Sequence, residues 1–410
     1  MASTLERSPA EAGAFEYARE ILLANDPDIP SLHANLQAGL NLSAQDTLDL
    51  VYQTVLQINS RVFPPLTQLE LVHTEGCNLA CSYCFEKEML GYRKMPSNVA
   101  CAAVDLLFDY SLRETELQIT HFGGEPTLNF PGIRIATEYA ESRAARSGKS
   151  VHFDMTTNGV LLNQEKVEYC ADHQIMVLLS IDGLQSSHDR FRLDRRGRGT
   201  FDRVVQALKL LKTTQPWIGV KMTVMPRNVG LLFEDVVGLY ELGVNQFLIG
   251  HATGVPWSAD EISEYGIQLS KLFKWYKEGA RKDLRIDEFD KQEDGPCFGC
   301  QAGRSSIAVT VDGQVSPCSK IMGFSSKRLI SKLGDIWNGL TNIRNRMNIV
   351  GCEQLESACV ERGIATEFRG GCFAVNYGES GDLFTPSLQD HAFSLAKRSA
   401  CSGCAANRRP

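Results

Sequence analysis

No stretch of the 410-residue chain is apolar over the roughly 20 residues needed to cross a bilayer, which excludes a membrane-spanning helix. The opening segment "MASTLERSPAEAGAFEYARE" lacks the basic-then-apolar pattern of a secretory signal, so a cytoplasmic location is expected. Positive charge is in deficit: 42 Lys and Arg stand against 49 Asp and Glu, a net charge of −7. That balance argues against a general nucleic-acid binder. Neither a fixed-period repeat nor a low-complexity tract is found, which excludes solenoids and biased linkers. Hydrophobic content of 43% and charged content of 22% are ordinary globular values.

What the chain does have is cysteine, 13 in all and in groups. A cytoplasmic compartment keeps thiols reduced, and the number is odd, so a disulfide framework is not expected. Metal or cluster ligation is. The tightest group is "GCNLACSYCFE" (Gly76–Glu86), which places Cys77, Cys81 and Cys84 in the spacing C-x3-C-x2-C. A closed structural zinc site needs four ligands. An iron–sulfur cube held by three thiolates leaves one iron with an open position for a small molecule. On spacing alone, a zinc site completed by a distant Cys or His is the alternative.

The surrounding pattern places this group. Residues 1–65 read as a helical extension. Within it, "SAQDTLDLVYQTVLQIN" begins at an N-cap, Ser43, and repeats Leu48, Val51, Leu56 and Ile58 along one face. Pro64 and Pro65 end it. From 66 to 255 short apolar strands alternate with helices: "QLELVH", "LQITHF", "VHFDMTT", "MVLLSID", "WIGVKMTVM" and "VNQFLIG". The stretch Ser97–Tyr110 reads as a helix capped by Ser97, with Val99, Ala102, Ala103, Leu106, Leu107 and Tyr110 facing inward. Strand–helix alternation implies an α/β fold with a parallel sheet, here a partial (β/α)6 barrel. The active site of such a barrel lies at the C-terminal strand ends, and the three cysteines follow the first strand there. Residues 256–295 read as a linking helical segment. A Cys- and Gly-rich C-terminal module, 296–410, is expected to be held by metal more than by a core.

The motif C-x3-C-x-aromatic-C on the loop after the first strand resembles the signature of the radical S-adenosylmethionine (SAM) superfamily. Three further motifs stand in the expected order: "GGEP" (Gly123–Pro126), "TTNG" (Thr156–Gly159), and "SIDG" with "HDRFR" (Ser180–Gly183, His188–Arg192). The resemblance covers about residues 67–250. It implies a [4Fe–4S] cluster on Cys77, Cys81 and Cys84, with SAM chelating the open iron and reductive cleavage yielding a 5′-deoxyadenosyl radical. It further implies that Tyr83 contacts the adenine through its backbone. Gly123, Gly124 and Glu125 would receive the SAM amino group, Ser180 the ribose, and Arg192 the SAM carboxylate, with Asn158 of "TTNG" also on the SAM-binding surface.

Eight cysteines lie between 297 and 404, enough for two closed sites of four. "CQAGRSSIAVTVDGQVSPC" (Cys300–Cys318) reads as a hairpin turning at Asp312–Gly313, which brings its ends together. This resembles the opening of the SPASM auxiliary-cluster domain, and "FRGGC" (Phe368–Cys372) resembles a later segment of it. The resemblance implies a first auxiliary site of Cys297, Cys300, Cys318 and Cys372. Phe368 and Arg362 stand where two further cysteines are expected. By arithmetic, Cys352, Cys359, Cys401 and Cys404 form a second site, for iron–sulfur or zinc. Cys101 and Cys170, among apolar residues on helices, read as structural.

SPASM-bearing relatives mostly modify peptides or proteins. The sulfatase-maturing branch carries an acidic residue after the cysteine corresponding to Cys318; here that residue is Ser319. The expected function is therefore maturation of a ribosomally made precursor peptide, by crosslinking or by backbone excision as in spliceases, in an oxygen-sensitive enzyme. Sulfatase-maturase-like oxidation, a small-molecule radical SAM enzyme and a zinc-ribbon binding protein are the alternatives. The N-terminal 65 residues read as too short and too helical for a winged-helix leader reader, so a separate leader-recognition protein is an expected partner. An electron donor such as flavodoxin or ferredoxin is another. The basic run containing Arg195, Arg196 and Arg198 reads as a solvated loop or a contact for an acidic peptide. Asp154, His121 and Glu125, near strand ends, read as SAM-facing or structural.

Overall fold

The computed structural model describes residues 9–24, 27–279, 281–290, 300–322, 332–351, 353–364, 368 and 371–402. Six strands run in parallel in sequence order: β1 (Gln68–Val72), β2 (Glu116–Phe122), β3 (Ser150–Thr157), β4 (Ile175–Ser180), β5 (Gly219–Val224) and β6 (Gln246–His251). Each step to the next neighbour with a helix between curls the sheet one way, as in a barrel. The strands expected from the sequence are all present, each within a residue or two of its predicted ends.

The edges carry four short strands that periodicity alone does not reveal as sheet neighbours. These are β7 (Arg285–Ile286), β8 (Ser306–Val309), β9 (Gln314–Ser316) and β10 (Gly334–Asp335). The order is β10-β9-β8-β1-β2-β3-β4-β5-β6-β7, and among the described residues no pairing joins β7 to β10. The barrel is therefore partial. The expected hairpin forms as β8 and β9 and turns at Gly313, whose φ of 81° suits a residue without a Cβ. β8 pairs in parallel with β1, so the C-terminal segment extends the barrel sheet.

Side-chain alternation along the strands divides two environments. Leu69 and Leu71, Ile119, Phe153 and Met155, Val177 and Leu179, Val220 and Met222, Phe247 and Ile249 are buried in the apolar core. Intervening residues, including Glu70, Thr120, Thr156, Ser180, Thr223 and Gly250, face a cavity inside the curve.

The helix at Ser97–Tyr110 forms with its expected bounds, but Pro96 occupies the cap position and no side chain caps it. Ser97 is instead the first helical residue. Val99, Ala103, Leu106, Leu107 and Tyr110 are buried as read, Ala102 only partly. The N-terminal helices Pro9–Leu22, Ile29–Leu40 and Ala44–Val62 build a small core of their own, joined by Ile343. Ser43 caps the third by accepting from Asp46 N at 3.1 Å. Arg346, buried beneath these helices, donates to Asn59 Oδ1 (2.8 Å), Gly303 O (3.0 Å), Arg304 O (2.9 Å) and Pro64 O (3.3 Å). A buried guanidinium without hydrogen bonds would be costly; these four acceptors tie N-terminal helix, hairpin and C-terminal segment together.

Candidate active site

A cavity of about 690 Å³ opens at the C-terminal ends of the strands. Cys77, Cys81 and Cys84 line it on the loop after β1, and so do Tyr83, Gly123, Gly124, Glu125, Asn158, Ser180 and Arg192. Residues up to 115 positions apart in sequence thus share one wall, each delivered by a strand end.

The cysteine loop is laced to every other motif. Glu125 N donates to Gly76 O at 2.8 Å, and Gly124 N to Thr74 O at 3.0 Å. Asn158 Nδ2 donates to Asn78 Oδ1 at 2.8 Å. Ala80 N donates to Leu193 O at 2.8 Å, and Arg195 Nε to Cys77 O at 2.8 Å. Such a web holds a loop with few apolar contacts in one conformation. Gly123 has φ 132°, and a Cβ there would lie 2.5 Å from Thr74 O; a Cβ on Gly124 would lie 2.5 Å from Gly76 O. Both obstacles are backbone and cannot swing away, so only glycine fits where the loops cross.

Glu125 is buried and fully engaged. Its carboxylate accepts from Thr127 N (3.1 Å), Thr157 Oγ1 (2.6 Å) and Asn158 N (2.8 Å). Its place on the cavity wall rests on how it pins "GGEP" to "TTNG". Arg192 also has an internal partner: Nε lies 2.8 Å and Nη2 3.1 Å from the Asp182 carboxylate, both groups buried. Asp182 further accepts from Thr223 N at 2.9 Å and from the Tyr83 hydroxyl. Arg192 thus gives two of its three guanidinium nitrogens to Asp182 while lining the cavity. Asp182 stood inside the quoted "SIDG", but its importance depends on Tyr83 and Thr223, which no local pattern links to it.

The remaining candidates separate. His121 is buried between His73 (2.8 Å) and Thr137 (3.1 Å), away from the cavity lining. Burial, with His73 adding to it, holds its ring well below the usual histidine range. Asp154 accepts from Gln118 and Thr120 on the neighbouring strand. In the basic run, Arg195, Arg196 and Arg198 are all exposed, as read for a solvated loop; Arg195 also donates to the Cys77 carbonyl and Arg198 pairs with Asp194 at 2.8 Å. Cys170 is buried and Cys101 half-buried on their helices.

Burial pushes Cys77 to about 12 and Cys84 to about 11, and raises Cys81, so the thiols are held protonated unless a cation binds them. Three thiols on one loop lining a cavity are a donor set that would suit an iron–sulfur cluster. The three face a common space; among the described residues no three His, Cys, Asp or Glu side chains close on a single metal-ion position.

On the β8 side of β1, Cys300, Cys318 and Cys372 lie near one another, and Glu70 lies near Cys300 and Cys318. Burial and the Cys372 thiol push Cys318 upward. Glu70 accepts from Ser319 N at 2.9 Å. Cys297, Cys352 and Cys404 lie outside the described residues. Cys359 is buried on the helix Glu353–Glu361, and Cys401 is half-buried on the helix Leu388–Ser402.

Asp235, on the helix Leu232–Glu241, supports the turn at Gly183 by accepting from Leu184 N at 2.8 Å. Burial raises its carboxyl from 3.8 to about 6, against the pull of its hydrogen bonds. The folded state therefore holds this proton more tightly than the unfolded chain does. The associated stability is present below pH ~4 and is lost as pH rises through about 6, at most about 3 kcal/mol. Asp235→Asn is expected to flatten the fall in melting temperature between pH 4 and 6.5. An unchanged slope in thermal melts would show that Asp235 does not carry it.

The three thiols and the glycine crossing at the strand ends lie within the part of the chain that matches a known family. The chain carries a radical SAM domain: residues 71–230 match the Radical SAM superfamily. One relative is the cysteine-type anaerobic sulfatase-maturating enzyme of Clostridium novyi (strain NT), 24% identical over 269 residues, 60% of this chain and 71% of the relative. The fold is also that of native anSMEcpe with bound AdoMet and Cp18Cys peptide (TM-score 0.65, 18% identity, 83% of this chain and 97% of that one). A further match is Streptococcus suis SuiB bound to precursor peptide SuiA (TM-score 0.58, 16% identity, 94% and 93% covered). Among the described residues no helix is long and apolar enough to cross a membrane.

Proposed function

We propose that this chain cleaves SAM on a [4Fe–4S] cluster held by Cys77, Cys81 and Cys84 and modifies a ribosomally made precursor peptide, by crosslink formation or backbone excision. The observation that carries this is one cavity lined both by the three thiols and by Lys320, Cys372, Asp390 and Lys397 from the C-terminal segment. A space bounded by both suits a flexible chain lying between radical source and thiol set. That SuiB has been solved with its precursor peptide on the same fold supports the reading.

Bound cluster and SAM supply one thing, a 5′-deoxyadenosyl radical. The protein's residues do the rest. Gly123 and Gly124 let a ligand approach the backbone closely. The Asp182–Arg192–Tyr83 group holds the cysteine loop and the end of β4 in register. The apolar wall of Phe122, Leu178 and Leu248 limits water near the reacting atoms.

Cys300, Cys318 and Cys372, with Cys297, are proposed to hold an auxiliary cluster; Cys352, Cys359, Cys401 and Cys404 are proposed as a second site, for iron–sulfur or zinc. A separate leader-recognition protein and a flavodoxin- or ferredoxin-type donor complete the proposed system, in the cytoplasm. Sulfatase-type oxidation is less well supported. Ser319, where that branch has an acid, is buried and bonded through its N–H to Glu70.

The test is anaerobic incubation of the iron- and sulfide-reconstituted chain with SAM, reductant and peptides encoded beside its gene, read by mass. Loss of a residue mass identifies excision; loss of two hydrogens identifies a crosslink or oxidation. Production of 5′-deoxyadenosine with every peptide mass unchanged overturns the peptide reading.

A further inference from the structure

His251 ends β6 at the cavity wall, on the side where the C-terminal helix Leu388–Ser402 packs. Asp390, Phe393 and Lys397 fall three and four residues apart on that helix, which places them on one face. That face meets the histidine. Phe393 stacks on its ring at 3.7 Å and 7°, and the edges of Trp257 and Tyr265 close the sides. The ring plane is therefore fixed. Nε2 lies 3.2 Å from Asp390 Oδ1. A carboxylate at Nε2 keeps the proton on that nitrogen and leaves the lone pair on Nδ1. No described residue hydrogen-bonds Nδ1, and it is not among the fully buried unpartnered atoms. Among the described residues its lone pair thus meets no donor, and His251 lines the cavity.

We propose that His251 Nδ1 is the proton acceptor for the peptide in this cavity, with Asp390 as its positioning residue. A proton leaves a peptide thiol, hydroxyl, amide or radical-bearing carbon for Nδ1. Its bonding electron pair stays on the peptide atom, and the imidazolium is held by Asp390. This assignment rests on the peptide reading given above. The charged groups facing His251 are Asp390 and Lys397 on the C-terminal helix and Lys320 beyond Cys318. Burial lowers the ring's affinity for a proton, Asp390 partly restores it, and the lysines lower it again. The ring is thus unprotonated, and able to accept, at neutral pH.

Two measurements test the assignment. Diethyl pyrocarbonate, which acylates open unprotonated imidazole nitrogen, is applied to the full chain at pH 7, and modified sites are mapped by mass. Modification of His251, with the buried His73 and His121 spared, is expected. An unmodified His251 overturns the proposal whatever the peptide. The second measurement is the ratio of modified peptide to 5′-deoxyadenosine. His251→Gln is expected to lower it by about 10²-fold or more, whereas a general folding defect lowers both products together. Asp390→Asn is expected to move the acid limb of that ratio to lower pH by about one unit, because the histidine loses its anionic partner. A ratio within threefold of wild type in His251→Gln, or an acid limb that stays put in Asp390→Asn, overturns it. If wild type yields 5′-deoxyadenosine and no peptide ever changes mass, the peptide reading has failed, and the labelling result alone decides whether Nδ1 is an open base.

Discussion

Replacing Cys81 by Ala is expected to abolish 5′-deoxyadenosine formation, by about three orders of magnitude or more. Two thiolates cannot hold a cube that leaves only one iron open, so both the cluster and the SAM-binding position go together. The fold should survive. Cys81 is half-buried, its loop is held by backbone bonds at Ala80 and Ser82, and one sulfur removed from such a site costs little. The measurement is 5′-deoxyadenosine by chromatography, alongside the broad cluster absorption near 400 nm and a thermal melt (the band sits in roughly that region). Loss of absorption and product with an unchanged melt fits the assignment. Retained product would refute the central claim.

Arg192→Ala is the second large effect, and it acts first on stability. The guanidinium and the Asp182 carboxylate are both buried, joined by contacts of 2.8 and 3.1 Å. Removing the arginine leaves Asp182 buried with its charge uncompensated, a loss of about 3–5 kcal/mol. Part of that should return in Arg192→Ala/Asp182→Asn, where no charge is stranded, the amide oxygen still accepts from Thr223 N, and the Tyr83 hydroxyl turns to accept from the new amide nitrogen. Melting temperatures of wild type, both single variants and the double variant close the cycle. SAM affinity is read on the same four proteins. A single variant as stable as wild type would sink the buried-pair account. Full SAM affinity in the double variant would show that Arg192 supports the site from behind and does not grip the ligand.

Much of the site was legible because its residues are short, strand-linked motifs. "QLELVH", "LQITHF" and "MVLLSID" announce strands by apolar period, and after each comes a motif of glycines or cysteines that the strand pattern itself does not call for. Parallel strand ends deliver their loops to one face, so order along the chain predicts convergence in space. The limits are equally physical. "GGEP" reads as ligand-facing, yet the Glu125 carboxylate is held by Thr127, Thr157 and Asn158. Arg195 is exposed, as a solvated basic run implies, but the sequence did not show that it also donates to the Cys77 carbonyl. In both cases the deciding partner comes from a distant loop. His251 and Asp390, 139 positions apart, show no pattern in the sequence at all.

The amino-acid sequence by itself determined the parallel α/β architecture, the cysteine loop after β1 and the glycine crossing that faces it. These depend on local periodicity, spacing and the absence of a Cβ. Only the tertiary structure decided which polar groups hold the site and which remain open to a ligand. That division depends on pairings such as Asp182 with Arg192, and Asp390 with His251, made across elements whose contacts exist only once the sheet has curled.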